Sequence, residues 1–317
     1  MAISKVIYKS SASATPEVWM DATTATAAAA DIISPKTAML ADGVVTTGTG
    51  TGGGGVDVDD FIKNLWPSGA IVADEATTIP NYKFLGCTAI TSFSSDSVTA
   101  VGLSTNNEGR SFLNCTGLTS VSLPSCTYIA DRSFQGCTSL VSVNLPSLTS
   151  AGRSGTDAHY FDGCTSLQLL HLPELVTAGG VGPFWNIGST SKLAVIVLPK
   201  LATLNGGSTF RAARCSAVDI GPNLTSLPND CFYMGTYQSV ILRSTTLVAA
   251  SGTGTLYSVT GTTFYIPKVL YDHLGDGTEY DYKAATNWST KESVISFAQI
   301  EGSQYENYYA DGTSISS

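Results

Sequence analysis

The chain has 317 residues and a formal net charge of −9, with 13 % charged and 43 % hydrophobic side chains. Without a basic stripe, that acidic balance argues against nucleic acid or an anionic membrane as a partner. Few Glu, Lys and Arg beside abundant Gly, Ser, Thr and Ala point to strands and turns rather than long helices.

Residues 1–47 form a first unit. MAISKVIYKSSASATPEVWM carries two lysines but no apolar run of signal-peptide length behind them. The uncharged stretch Ala22–Ala30 is too short and too polar to span a bilayer. Secretion by the general signal route and membrane insertion are therefore not expected. DIISPKTAMLADGVVTTGT, Asp31–Thr49, holds a Lys-Thr-Ala, a Gly, then a Val-Thr and a Gly-Thr turn. It resembles a short segment common near the N-terminus of tail-associated phage proteins. The resemblance implies a virion component made in the bacterial cytoplasm, with its N-terminus docked to a structural virion protein. Residues 48–55, GTGTGGGG, read as a flexible linker. Gly48, Gly50 and Gly53 satisfy GxGxxG, yet no helix-forming residue follows at once to receive a pyrophosphate.

Residues 56–261 are read as a repeat. Phe84, Phe112, Phe134, Phe161, Phe184, Phe210 and Phe232 each open a similar segment, at spacings of 28, 22, 27, 23, 26 and 22 residues. Within one unit, Leu118, Val121 and Leu123 are apolar among polar residues, and the last two mark a short strand. Pro124 ends it because it has no N–H for the ladder. Leu140, Val143 and Leu145 repeat the triplet, as do Leu167, Leu170 and Leu172. Cys87, Cys115, Cys137 and Cys164 each stand three residues after a Phe. Stacked units would bury columns of Phe, Cys and Leu that no single unit could cover, with the thiols as small hydrophobes rather than disulfides or metal ligands.

The pattern FxxCxxLxxVxLPxLxxI, most regular over Phe112–Ile129, Phe134–Leu148 and Phe161–Leu175, resembles the BspA-like leucine-rich repeats of bacterial and protist surface proteins and of many phage proteins. The resemblance implies an α/β repeat fold: a leucine-rich-repeat solenoid of about seven or eight coils, a parallel sheet on one face and irregular or short helical segments opposite. Residues 262–300 resemble the usual C-terminal cap. There, TTFYIP would be the last strand, Tyr282–Trp288 would start an amphipathic helix, and Trp288 would shield the end of the core. Residues 301–317 form a Tyr- and Ser-rich tail, with Tyr305, Tyr308 and Tyr309 suited either to amphipathic contacts or to a frayed end.

Catalytic constellations are scarce, and no catalytic, cofactor or metal residue is assigned. Asp157 and His159 share the loop GRSGTDAHY with a Ser, without a visible rigid frame or oxyanion hole. Asp57, Asp59 and Asp60, and likewise Asp272, Asp276, Glu279 and Asp281, read as turn and solvation groups; the EF-hand spacing for calcium is missing. The informative surface is the outer face of the sheet. Period-two alternation turns Ser122, Asn144, His171, Val197, Asp219, Ile241 and Tyr265 outward, one per coil. A register slip of one residue in the later coils would exchange the two faces. Insertions at Asp96–Arg110, Ala151–Tyr160 and Ala178–Pro183 bring Tyr160, and Trp185 just beyond, to one edge as further candidates.

A non-enzymatic binding protein is the expectation. Its partners would be a host surface protein or glycan and a virion protein, with a homo-oligomer also open and a bacterial adhesin or a purely structural virion decoration as the alternatives.

Overall fold

The computed structural model describes residues 69–315, apart from 74–75, 103–108 and 153–156, together with four short strands ahead of them. Those strands, Lys5–Tyr8 with Glu17–Asp21 and Thr37–Met39 with Val45–Thr47, make two antiparallel pairs. The rest of the first unit and the glycine-rich linker lie outside the described residues.

From Gly69 the chain winds into a parallel-sheet solenoid of about eight turns with little helix. Each coil gives one strand to a main parallel sheet. Gly69–Val72, Ile90–Ser94, Ser120–Ser122 and Ser142–Asn144 form its first part, four strands wide. Leu169–His171, Ala194–Leu198, Arg214–Ile220, Thr236–Leu242, Thr263–Ile266 and Ser296–Gln299 form the second, of six strands. The ladder pauses between Asn144 and Leu169. Opposite, two-residue strands from Thr78–Ile79 to Thr203–Leu204 make a narrow second ladder that runs through this pause.

The alternation read from the sequence matches the observed register. Val121 pairs with Val143, and Leu170 with Ile196, which in turn stands beside Val218, Val240, Phe264 and Phe297. One residue along, Val197, Asp219, Ile241 and Tyr265 form a row on the opposite face.

Inside the coils the columns form. Phe84, Phe112, Phe134 and Phe161 stack nearly parallel at centroid distances of 4.8, 5.2 and 5.5 Å. Phe184, Phe210 and Phe232 continue at 5.4 and 5.6 Å. All seven cysteines are free and buried. Three thiols of the column reach back one coil: Cys115 Sγ donates to the Phe84 carbonyl at 2.9 Å, Cys137 to Phe112 at 3.1 Å and Cys164 to Phe134 at 3.2 Å. Burial pushes the Cys164, Cys215 and Cys231 thiols well above their ordinary range, so they are inert packing groups. Later coils replace the Cys with Ile187, Ala213 and Gly235, and at Gly235 the Tyr237 hydroxyl donates to the Phe210 carbonyl instead. A Cβ on Gly235 would sit 2.0 Å from that hydroxyl, which explains the glycine.

Each Phe of these columns is held in a turn by left-handed residues on both sides. Two residues before it stand Tyr82, Arg110, Arg132, His159, Ser208 or Asp230, all at positive φ. Two residues after it stand Gly86, Asn114, Gly136, Gly163 and Asn186, then Ala212 and Met234. Gly and Asn tolerate this region; Ala and Met do not. Met234 is 61 % exposed at φ 58°, so its side chain gives little back for the strain. Met234→Gly is therefore expected to stabilise by about 1 kcal/mol, a rise of about 2–4 °C in Tm by calorimetry. An unchanged or lower Tm would show that the turn carries no such strain.

The C-terminal cap differs from the sequence expectation. Thr263–Ile266 is not the last strand, because Ser296–Gln299 adds one more beside it. Nor do residues 282–288 start an amphipathic helix: helix α1 is a single turn, Lys268–Tyr271, and a 3₁₀ turn covers Ser289–Lys291. Asp281 binds the backbone N–H groups of Gly277 and Lys283, and Asn287 adopts φ 66°; both favour turns over a helix. Trp288 closes the core as expected. It is 1 % exposed, packs edge-on against Phe264 and Tyr282, and donates Nε1–H to the Val248 carbonyl at 2.9 Å.

Candidate functional site

The outer face of the sheet is divided. Over the first coils it is open: Ser120 and Ser122 are half-buried and Ser142 and Asn144 exposed, with Asn144 Nδ2 donating to Ser122 Oγ at 3.0 Å. Small polar side chains along the ladder make a wettable platform. Leu169 extends it as an exposed apolar group.

Over the later coils the same face is covered by the protein's own tail. Val197, Asp219 and Ile241 point outward as the alternation requires, yet all three are buried, and Tyr265 is half-buried. Ile300 and Tyr305 pack onto Ala217 and Ile241 in a small core of their own, with Val195, Tyr265 and Ala310 at its margin. The Tyr305 ring meets Tyr265 edge-on at 4.8 Å. The apolar outward residues are thus covered by chain, and no register slip is involved.

One buried ion pair anchors the tail. Arg243 donates Nε–H to Asp219 Oδ1 and Nη2–H to Oδ2, both at 2.8 Å. The same guanidinium bonds the carbonyls of Tyr305 at 2.9 Å and Tyr308 at 2.7 Å, and lies under the Tyr309 ring at 4.8 Å. Ala310 N–H returns to Asp219 Oδ2 at 2.9 Å. Burial raises the Asp219 carboxyl above the usual carboxylate range, while Arg243 and the Ala310 N–H pull it back. At the tip, Tyr309 and Gly312 shape a tight turn, and Asp311 contacts His171 Nδ1 at 2.8 Å. His171 is therefore half-covered. The tail is a folded strap rather than a frayed end.

At the N-terminal ends of the strands, strap and sheet leave a groove of about 570 Å³. Ser216, Gln238 and Ser239 line it from the sheet, and Gln304, Tyr308 and Tyr309 from the strap.

The two edge candidates fare differently. Tyr160 is fully buried, its hydroxyl bonded to the carbonyls of Ala151 and Gly179, so the ring is a core plug rather than a surface contact. Trp185 is half-buried in an aromatic and cationic row that the sequence reading missed. His159 lies 4.8 Å from its ring, Arg211 stacks on it at 4.5 Å and on Tyr233 at 4.8 Å, and Tyr233 meets Tyr257. The signal was present: Trp185, Arg211, Tyr233 and Tyr257 each follow the repeat's turn Phe, or Leu256 in its place, by one position, while His159 stands two before Phe161. The insertion tips at 103–108 and 153–156 lie outside the described residues.

Burial pushes the His159 imidazole below its ordinary range, against the pull of nearby Asp162. The folded state then takes up a proton less readily than the unfolded chain. Stability should be full above about pH 6.5 and fall as pH drops from there through the lowered folded value. His159→Asn, which tolerates the left-handed backbone, is expected to flatten that part of the Tm–pH curve. An identical slope in the variant would assign the acid sensitivity elsewhere.

The acidic cluster is occupied by local structure: Asp272 pairs with Lys268 at 2.6 Å, Asp276 with His273 at 2.6 Å, and Asp281 caps turns. Among the described residues, no three His, Cys, Asp or Glu side chains converge as a metal site. No described helix is long and apolar enough to cross a membrane. Asp157 is bonded to Arg132 at 3.0 Å rather than to His159.

The coil geometry, the inward columns and the parallel ladders define a leucine-rich-repeat solenoid. The model of the BspA type leucine rich repeat region matches residues 68–154 and 155–253 in six copies, and the chain belongs to that family. Such a solenoid is suited to protein–protein interaction or adhesion. None of the curated proteins compared matches the chain. Among solved structures, a Treponema pallidum leucine-rich-repeat protein is 20 % identical, over 54 % of this chain and 73 % of that one, with a TM-score of 0.35. A leucine-rich-repeat protein from Bacteroides ovatus is 16 % identical over 84 % of this chain and 58 % of its own length, with a TM-score of 0.46. A leucine-rich cell surface protein from Faecalibacterium prausnitzii is 14 % identical over 89 % and 96 %, with a TM-score of 0.24.

Proposed function

We propose that this protein is a non-enzymatic binding component of a phage virion that recognises a host cell surface through its solenoid. The observation that carries the binding role is the divided sheet face: a platform of Ser120, Ser122, Ser142 and Asn144 stays open while a strap seals the apolar remainder. A fold that covers its sticky half and leaves its polar half in water is built to meet a partner reversibly. The virion half of the reading rests on the likeness of Asp31–Thr49 to tail-associated phage proteins. In this reading residues 1–47 dock to the particle and the glycine-rich linker spaces the solenoid from it.

The test is binding of the labelled intact chain to candidate host bacteria, beside a variant carrying Ser122→Lys and Asn144→Lys. Saturable binding weakened at least tenfold in the variant is the expected result. Saturable binding that survives the change would move recognition off the open face. Absence of binding to every candidate host would remove the receptor role. Immunogold labelling then locates the protein. Particles should carry it, and label confined to the envelope of the producing bacterium would make it a cell-surface adhesin.

A further inference from the structure

We propose that the groove between strap and sheet is a binding site for a short neutral oligosaccharide. The inference rests on the reading of the protein as a surface-recognition module and names a ligand class for a site away from the open platform.

The groove is open to solvent, bounded on one side by the strands at Ala194–Leu198, Arg214–Ile220 and Thr236–Leu242 and on the other by the strap residues from Gln304 to Gly312. Its volume, about 570 Å³, falls within the range of about 300–1,000 Å³ typical of small-ligand sites. Among the described residues that line it there is no Asp, Glu, Lys, Arg or His. The charges near its Tyr309 wall are already engaged: Asp219 with Arg243, Asp311 with His171 and Lys200 with Glu174. An anionic ligand would find no counter-charge, and a cationic one no carboxylate, so the lining selects a neutral solute.

The polar groups that remain are of the kind a sugar needs. A primary amide offers an acceptor oxygen and two donors side by side, matching adjacent hydroxyls that each donate and accept. The side-chain amides of Gln238 and Gln304 make no hydrogen bond to another described residue. Ser216 and Ser239 add hydroxyls along the floor. Tyr308, 49 % exposed, and Tyr309 supply ring surface for the C–H face of a pyranose, with a phenol at the rim. A peptide fits less well. The groove lies on the face of a parallel sheet rather than along a free edge, so an extended chain could not add a strand there.

The strap also makes the site stiff before a ligand arrives. Arg243 fixes the carbonyls of Tyr305 and Tyr308, in the stretch of strap that carries the wall rings. Preorganisation of this kind matters for sugars, whose many hydroxyls must exchange water for protein partners at little net gain.

The experiment is a glycan array probed with the intact chain, followed by titration calorimetry to millimolar concentration. Maltotriose, chitotriose and mannotriose serve as neutral probes and a heparin tetrasaccharide as the anionic one. Binding to at least one neutral probe, weakened tenfold or more by both Gln238→Ala and Tyr308→Ala with Tm unchanged, is the expected result. No neutral probe bound, retention of the anionic probe alone, or affinity unaffected by both substitutions would overturn it. Cell binding separates this site from the proposed function. Adhesion that persists in both groove variants while no saccharide binds would leave the function standing and remove the groove. Saccharide binding without adhesion to any host would do the reverse.

Discussion

Arg243→Ala is expected to lower stability by about 3–5 kcal/mol and to release the strap from the sheet. The side chain is 7 % exposed and its partner Asp219 fully buried, so solvent does little to screen the pair. Removal of the guanidinium leaves a buried carboxylate with only the Ala310 N–H for company, and it deletes the two bonds to the strap carbonyls. Asp219, already raised by burial, is driven further toward its neutral form once its counter-charge has gone. The folded variant then holds a proton that the unfolded chain gives up, so its deficit should shrink as pH falls toward about 4. Urea unfolding at several pH values measures both effects, and limited proteolysis reports the freed strap. Arg243→Lys should recover only part of the loss, because an ammonium cannot fork onto the carboxylate and reach two carbonyls at once. A loss under about 1 kcal/mol would mean that the pair merely decorates a strap held by apolar contacts.

The second large effect is expected at the middle of the phenylalanine column. Phe134→Ala should cost about 3–5 kcal/mol, since the ring is fully buried between Phe112 and Phe161 and the rigid turns above and below cannot close over the void. Phe134→Leu keeps most of the volume and should cost under half as much. The Cys137 and Cys164 thiols, which hydrogen-bond to carbonyls in this stack, provide a second readout. Their labelling by a thiol reagent should become measurable in Phe134→Ala well below the global unfolding midpoint. A small, evenly shared loss with thiols still protected would imply that the stack repacks without a cavity.

The repeat was legible in the sequence because its physics is local and periodic. Phe, Cys and Leu recur at fixed offsets, so one unit predicts the inward columns of all, and period-two alternation set the sheet register. What escaped is of two kinds. The left-handed turn positions left a signal, the Gly or Asn two residues after most turn Phe residues, but Arg132 or Met234 at such sites looks ordinary until the backbone is seen. The strap depends on contacts between residues far apart in sequence. Val195, Val197, Ala217 and Ile241 point outward from neighbouring strands, an apolar patch around Asp219, and the Tyr-rich tail is of the right chemistry to cover it. Nothing in the sequence joined the two observations. The cap helix was over-read for the opposite reason: resemblance supplied a helix where Asn287 and the Asp281 turn do not allow one.

A stack of coils ordinarily behaves like a row of dominoes, each piece held only by the next, and comes apart from whichever end is weaker. The strap removes one of those ends. By joining Asp311 to His171 and Ala310 to Asp219, it clamps the coils from Leu169 to Gln299 into a ring of contacts that no single outer coil can leave. Among the described coils, the weakest place left is then the seam between Asn144 and Leu169, where the main ladder already pauses. If the proposed docking through residues 1–47 holds, force from the particle would reach the unstrapped coils first. The strapped half would keep its shape while the open half works as the compliant joint.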